Sequence, residues 1–243
     1  MSLNDSLRVQ SQLLVKKSQR LLDASKSLDK IIAHNSDDID TKWQTTIQAM
    51  KVYTITQELE TSALGTIFDN AALKKYANLN ISLQTRFDEQ AQASIRQAWF
   101  GLMQQVADNL HEDPTTSEID LTLGKQLFQM AHNLYGSEHA DLKLDLWEQG
   151  FMGGHMSDKD FQTTPEILQW LDLAAKHYWL DKLIKIINRV GTDHDDAVLT
   201  ALNTALTELY GDEQAAKAAA IKRVRQDDRL SKSAQAWLDQ TKI

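Results

Sequence analysis

The chain has 243 residues, a formal charge of −8, two prolines, nine glycines and no cysteine. Its length suits one large domain or two small ones. The acidic balance argues against a wide grip on a nucleic-acid backbone, and the lack of cysteine removes disulfides, thiol nucleophiles and thiolate zinc sites together.

Few breakers, with Gln, Leu, Ala and Lys abundant, predict an all-α protein. No apolar run is long enough to span a membrane, and the start MSLNDSL lacks the apolar core of a signal peptide, so a cytoplasmic location is expected.

The first predicted helix covers residues 5–34, a rod of roughly 45 Å, with Ser2 or Asn4 as cap. Leucine recurs there every seventh position at Leu7, Leu14, Leu21 and Leu28, and four residues after each come Ser11, Ser18, Ser25 and Ile32. Residues 35–38 stop this helix and cap a second, whose apolar stripe is Ile39, Trp43, Ile47 and Met50. The pattern fades near residues 61–65. A two-turn helix and a loop are expected over 69–80. Ser82 or Thr85 then starts a long helix through Phe87, Ile95, Trp99, Met103 and Val106.

Pro114 ends that helix at HEDPTTSE, and Thr115 or Thr116 caps the next, which holds Leu123, Leu127, Met130 and Leu134 and stops at Gly136. SEHADLKLDLWEQG reads as a helix begun by Ser137. FMGGHMSDKDFQT, residues 151–163, is the least regular stretch. Thr164 and Pro165 open a long helix that reaches Gly191, followed by helices over 193–210, 212–226 and 231–241. LYGSEHA at 134–140 is echoed by LYGDEQA at 209–215, which reads either as a diverged repeat or as two helix–glycine–cap corners built alike for physical reasons.

Searches for chemistry return little. His111-Glu112-Asp113 and Asp193-His194-Asp195-Asp196 sit at helix starts, where acids meet the helix dipole favourably, and lack a spaced second ligand cluster. His177 reads as a core residue. There is no GxSxG, Walker or GxGxxG motif, so neither catalysis nor a bound metal or cofactor is expected. The basic run IKRVRQDDR is diluted by Asp227 and Asp228 and reads as a solvated helix face. Aromatic and methionine residues crowd the stretch 99–179. Most belong to a core, yet Phe151, Met152, Met156 and Phe161 fall in the irregular loop. Such a loop suits an adaptable lid over an apolar ligand, or else folds its own small cluster.

Residues 7–32 followed by IDTKWQTTIQAM resemble the dimerisation helix of MerR-type transcription regulators and the segment after it. Residues 85–179 resemble the TipAS antibiotic-recognition domain often attached to those regulators, through Trp99, the HEDPTTSE corner, LGKQLFQMAHNLYG, the FMGGHM loop and EILQWLDLAAKHYW. The resemblance implies a dimerisation coiled-coil helix at 1–36, a helical connector at 37–84 and a TipAS-like ligand-binding bundle at 85–180; residues 181–243, a helical extension, run past the usual extent of that domain and have no role in the resemblance. It implies a homodimer through Leu7, Ser11, Leu14, Ser18, Leu21, Ser25, Leu28 and Ile32, where small serines allow close helix approach. The same leucines also suit an amphipathic helix packed on its own chain.

The implied function is sensing of a hydrophobic small molecule or antibiotic, with Trp99, Met103, Tyr135, Trp147, Phe151, Met156 and Phe161 lining the pocket. Promoter DNA would be contacted only through the winged helix-turn-helix that these regulators carry before this helix and that this sequence does not contain. The chain is then either a truncated regulator or a relative that has lost DNA binding. Covalent thiopeptide capture needs a cysteine, so binding would be reversible. A stand-alone drug-sequestering protein and a purely structural helical adaptor are the alternatives.

Overall fold

A computed structural model describes residues 39–62, 64–156 and 162–241, together with Val15 and Lys26. The eight-residue Leu/Ser stripe and Phe161 therefore lie outside the described residues. Among those described the fold is all-helical. The sole β feature there is an isolated bridge between Val190 and Asp193.

Helix α1 (Ile39–Glu60) leads into a single turn, α2 (Leu64–Ile67), and then α3 (Asn70–Arg86) and α4 (Glu89–Asp108). Here the structure differs from the sequence expectation. α3 continues for 17 residues through the expected helix start at Ser82 or Thr85. The break falls instead at Phe87, which is extended, and Asp88 caps α4 by accepting from the Ala91 N–H at 2.8 Å. Phe87 is apolar at a helix-compatible spacing, which hid an aspartate cap immediately after it.

α5 (Glu118–Tyr135) starts after Ser117 rather than Thr115 or Thr116, because Asp113 takes both the Thr115 N–H and hydroxyl and closes a separate turn. Its expected stop at Gly136 stands, with φ +66°. α6 (Ala140–Asp145) opens after His139, not at Ser137, and widens into a π-helical turn over Leu146–Phe151. α7 (Pro165–Ile187) has the expected Thr164 cap and Pro165 start. α8 (Asp195–Tyr210), α9 (Gln214–Arg225) and α10 (Lys232–Gln240) follow close to their expected bounds.

Among the described residues, three apolar clusters run through the body. The first joins the carboxy-terminal half of α7 to α8, α9 and α10 through Leu183, Ile187, Leu202, Ile221, Val224 and Leu238. A middle cluster joins α4, α5 and the amino-terminal half of α7 through Leu102, Met103, Val106, Leu123 and Leu171. A smaller third cluster gathers Phe68, Leu73, Leu142 and Leu146 under α1, α2 and α3. α7 runs unbroken through residue 180 and serves both of the first two. Among the described helices, α5 and α7 form the most extensive seam. Gly124 permits it, since a Cβ there would stand 2.5 Å from the Ala174 carbonyl oxygen. None of the described helices is long and apolar enough to cross a membrane.

Candidate functional site

The candidate site is an aromatic group where α4 meets the π-helical turn. Trp99 on α4 lies one turn before Met103, so both face the middle cluster. The π turn contributes Trp147 and Phe151. Phe151 lies with its ring centroid 5.4 Å from that of Trp99 and 5.7 Å from that of Trp147, in tilted arrangements that aromatic quadrupoles favour. Phe151 also packs against the third cluster, so it bridges two cores.

A half-buried indole needs an acceptor for its N–H. Trp147 Nε1 donates to Asp172 Oδ1 at 3.0 Å, and the other oxygen of Asp172 accepts from Lys176 Nζ at 2.6 Å. Asp172 is only 9 % exposed, and these two donors compensate its burial. The indole is thereby held in one orientation.

The loop after Phe151 is sterically defined. Met152 donates its N–H to the Trp147 carbonyl at 2.9 Å, and His155 donates to the Gly150 carbonyl at 2.9 Å, both bonds of π spacing. A Cβ on Gly153 would stand 2.3 Å from the Gln149 carbonyl oxygen, and one on Gly150 would stand 3.2 Å from Met156 Cγ. Gly153 is thus needed for close approach. Gly154, at φ +73°, is needed for its backbone angle. Met152 is exposed at the edge of this group.

The seven expected lining residues divide accordingly. Trp99, Trp147 and Phe151 form one aromatic group. Tyr135 and Met156 join Phe151 on the third cluster. Burial pushes the Tyr135 phenol well above its ordinary range, and Tyr76 beside it adds to the effect, so both phenols stay neutral. Met103 is 2 % exposed and fills the middle cluster. Phe161 lies outside the described residues.

Among the described residues, three buried charged groups have roles that the sequence analysis did not assign. Asp120, fully buried, takes His177 Nδ1 at 2.5 Å and ties α5 to α7. Lys143, 8 % exposed, donates to the Glu208 carbonyl oxygen at 2.9 Å and lies 5.3 Å from the centroid of the Phe128 ring. Burial lowers its pKa to about 8, against the opposing charge of Glu208. Asp172 is the third. Each interrupts an apolar stripe: Asp120 sits three residues before Leu123, Lys143 three before Leu146, and Asp172 within WLDLA. A charge on an apolar stripe was the available signal.

The two echoed corners meet in space. Ser137, Glu138, Ala140 and Asp141 from one, and Gly211, Asp212 and Glu213 from the other, line an open cleft of about 360 Å³ together with Lys75 and Thr207. Both glycines end their helices at positive φ, with ψ of −172° and −126°, a backbone region open to glycine and distinct from the left-handed helical one. The cleft is polar and contains none of the seven expected residues. Among the described residues, no group of three His, Asp or Glu is placed to hold a metal ion. Comparison of the chain with family models, with curated proteins and with solved structures finds no match.

Proposed function

We propose that this chain is the effector-binding and dimerisation region of a MerR-type transcription regulator that reversibly senses a hydrophobic small molecule or antibiotic. The observation that carries the proposal is the Trp99–Phe151–Trp147 group beside a glycine-containing π turn with Met152 exposed at its edge. Wide π turns recur at functional positions, and flexible methionines beside rigid rings accommodate varied apolar ligands. The role is binding rather than catalysis.

A ligand entering between these rings would separate Phe151 from Trp99 and change how the third cluster, which also underlies α1, sits on the middle one. Such a ligand shifts the balance of two arrangements only through its difference in affinity for them. α1 directly follows the proposed dimer helix, which gives that change a route to paired DNA-reading heads.

The test is a titration of intrinsic tryptophan fluorescence, with thermal shift, across a panel of hydrophobic antibiotics. At least one compound should quench the indoles and raise the Tm, and Phe151→Ala should weaken its binding at least tenfold. A panel that moves neither signal overturns the ligand-sensing reading. Sedimentation should show a dimer, and a monomer at high concentration overturns the regulator reading.

A further inference from the structure

Asp172 has more hydrogen-bonding capacity than its neighbours use. Its side chain is 12 % exposed, and each carboxylate oxygen has one donor: the Trp147 indole N–H at 3.0 Å on Oδ1, and Lys176 Nζ at 2.6 Å on Oδ2. A carboxylate offers about four acceptor positions. The two donors differ in kind. The indole is fixed by its packing on the middle cluster. Lys176 sits one turn further along α7 with its side chain 58 % exposed, so holding it at Asp172 gains little over letting it extend into water. The carboxylate cannot follow it out. Left with the indole alone, it would be a buried charge short of a partner.

The charge of the adjoining stretch has one sign. From Asp145 to Met156, which takes in the π turn and Met152, the formally charged residues are Asp145 and Glu148. An anionic ligand would meet these and Asp172, with Lys176 already paired. A cationic one would meet a buried carboxylate with acceptor positions to spare, beside aromatic faces that attract cations.

On the ligand-sensing reading, on which this rests, we propose that the ligand of the aromatic group is an amphiphilic cation, an apolar body bearing a protonated amine, and that Asp172 is the residue that selects it. The apolar body packs against Trp99, Trp147 and Phe151. The amine donates to Asp172 in the position that Lys176 vacates, and the lysine extends into water, where its charge is solvated. Exchanging one ammonium for another keeps the buried carboxylate compensated throughout. A neutral ligand of the same shape gains the ring contacts without the charge-assisted hydrogen bond.

The probes are 1-pyrenemethylamine, a cation at neutral pH, and the uncharged 1-pyrenemethanol, each titrated with the full chain and followed by pyrene fluorescence anisotropy. The amine should bind at least tenfold more tightly than the alcohol. Asp172→Asn keeps an oxygen to accept from the indole but removes the charge, and should bring the two affinities within about threefold of each other. Lys176→Met removes the competing ammonium from an exposed position and should tighten the amine at least threefold, with the alcohol unchanged. This second variant carries the test if Asp172→Asn fails to fold. Equal affinities in the wild type, a preference that survives Asp172→Asn, or an amine affinity that Lys176→Met does not raise overturns the cation assignment and leaves the ligand-sensing reading standing. Binding of neither probe to a chain that binds one of the antibiotics also overturns the cation assignment. Binding of no compound at all overturns the ligand-sensing reading itself.

Discussion

The α5–α7 seam and the aromatic group at the π turn both lean on α7, yet they are built differently. In the seam, Gly124 brings two backbones together and Asp120 is sealed against His177. At the π turn, three rings touch at tilted angles, Met152 is exposed, and one tryptophan is steered by Asp172. The seam commits its polar groups to holding the fold. The π turn leaves apolar surface, Met152 included, at the edge of the body.

Substitutions separate the two regions. The largest effect is expected from Asp120→Ala, which strips the buried partner from His177 and should cost about 3 kcal/mol in denaturant unfolding. A cost below about 1 kcal/mol would show the seam to be as tolerant as the loop. Gly124→Ala comes next. Its Cβ would meet the Ala174 carbonyl oxygen at 2.5 Å, and forcing the backbones apart should cost about 2 kcal/mol. By contrast, Phe151→Ala should cost about 1 kcal/mol of ring contact, and on the proposed reading it should weaken ligand binding at least tenfold. If Phe151→Ala destabilises as much as Asp120→Ala, the π turn is core rather than site.

Lys143 adds a dependence on pH. Its amine has a pKa of about 8 in the folded protein against an ordinary 10.5. Between those values the unfolded chain binds more protons than the folded one. Stability therefore rises with pH across the window from 8 to 10.5, and below 8 the chain stays at its lower level. The buried tyrosines, raised by the same burial, begin to oppose this above about pH 10. The difference between wild type and Lys143→Met, followed by urea unfolding from pH 7 to 10, isolates the lysine: wild type should gain on the variant as pH rises. The smallest effect is expected from Lys75→Ala. Its pair with Asp141 at 2.6 Å is exposed, and the loss should stay within about 0.5 kcal/mol.

What was readable in the sequence follows from local physics. Helical period, the Thr164-Pro165 start and the Gly136 stop are set by backbone sterics and capping within a few residues, so composition and spacing sufficed to give an all-helical chain and most of its corners. The irregularity of the FMGG stretch was visible for the same reason, whereas the contact of Phe151 with Trp99 and Trp147 joins residues that spacing along the chain does not bring together. Other features rest on partners far along the chain. Asp120 meets His177 across 57 residues, Lys143 meets Glu208 across 65, and α3 runs on past Ser82 while packed against α1. Only the tertiary structure decided that Met103 fills a core, that Trp147 is oriented by Asp172, and that the two echoed corners share a cleft. Burial and desolvation act through space, and whether a charge on an apolar stripe finds its partner is settled only when the helices meet.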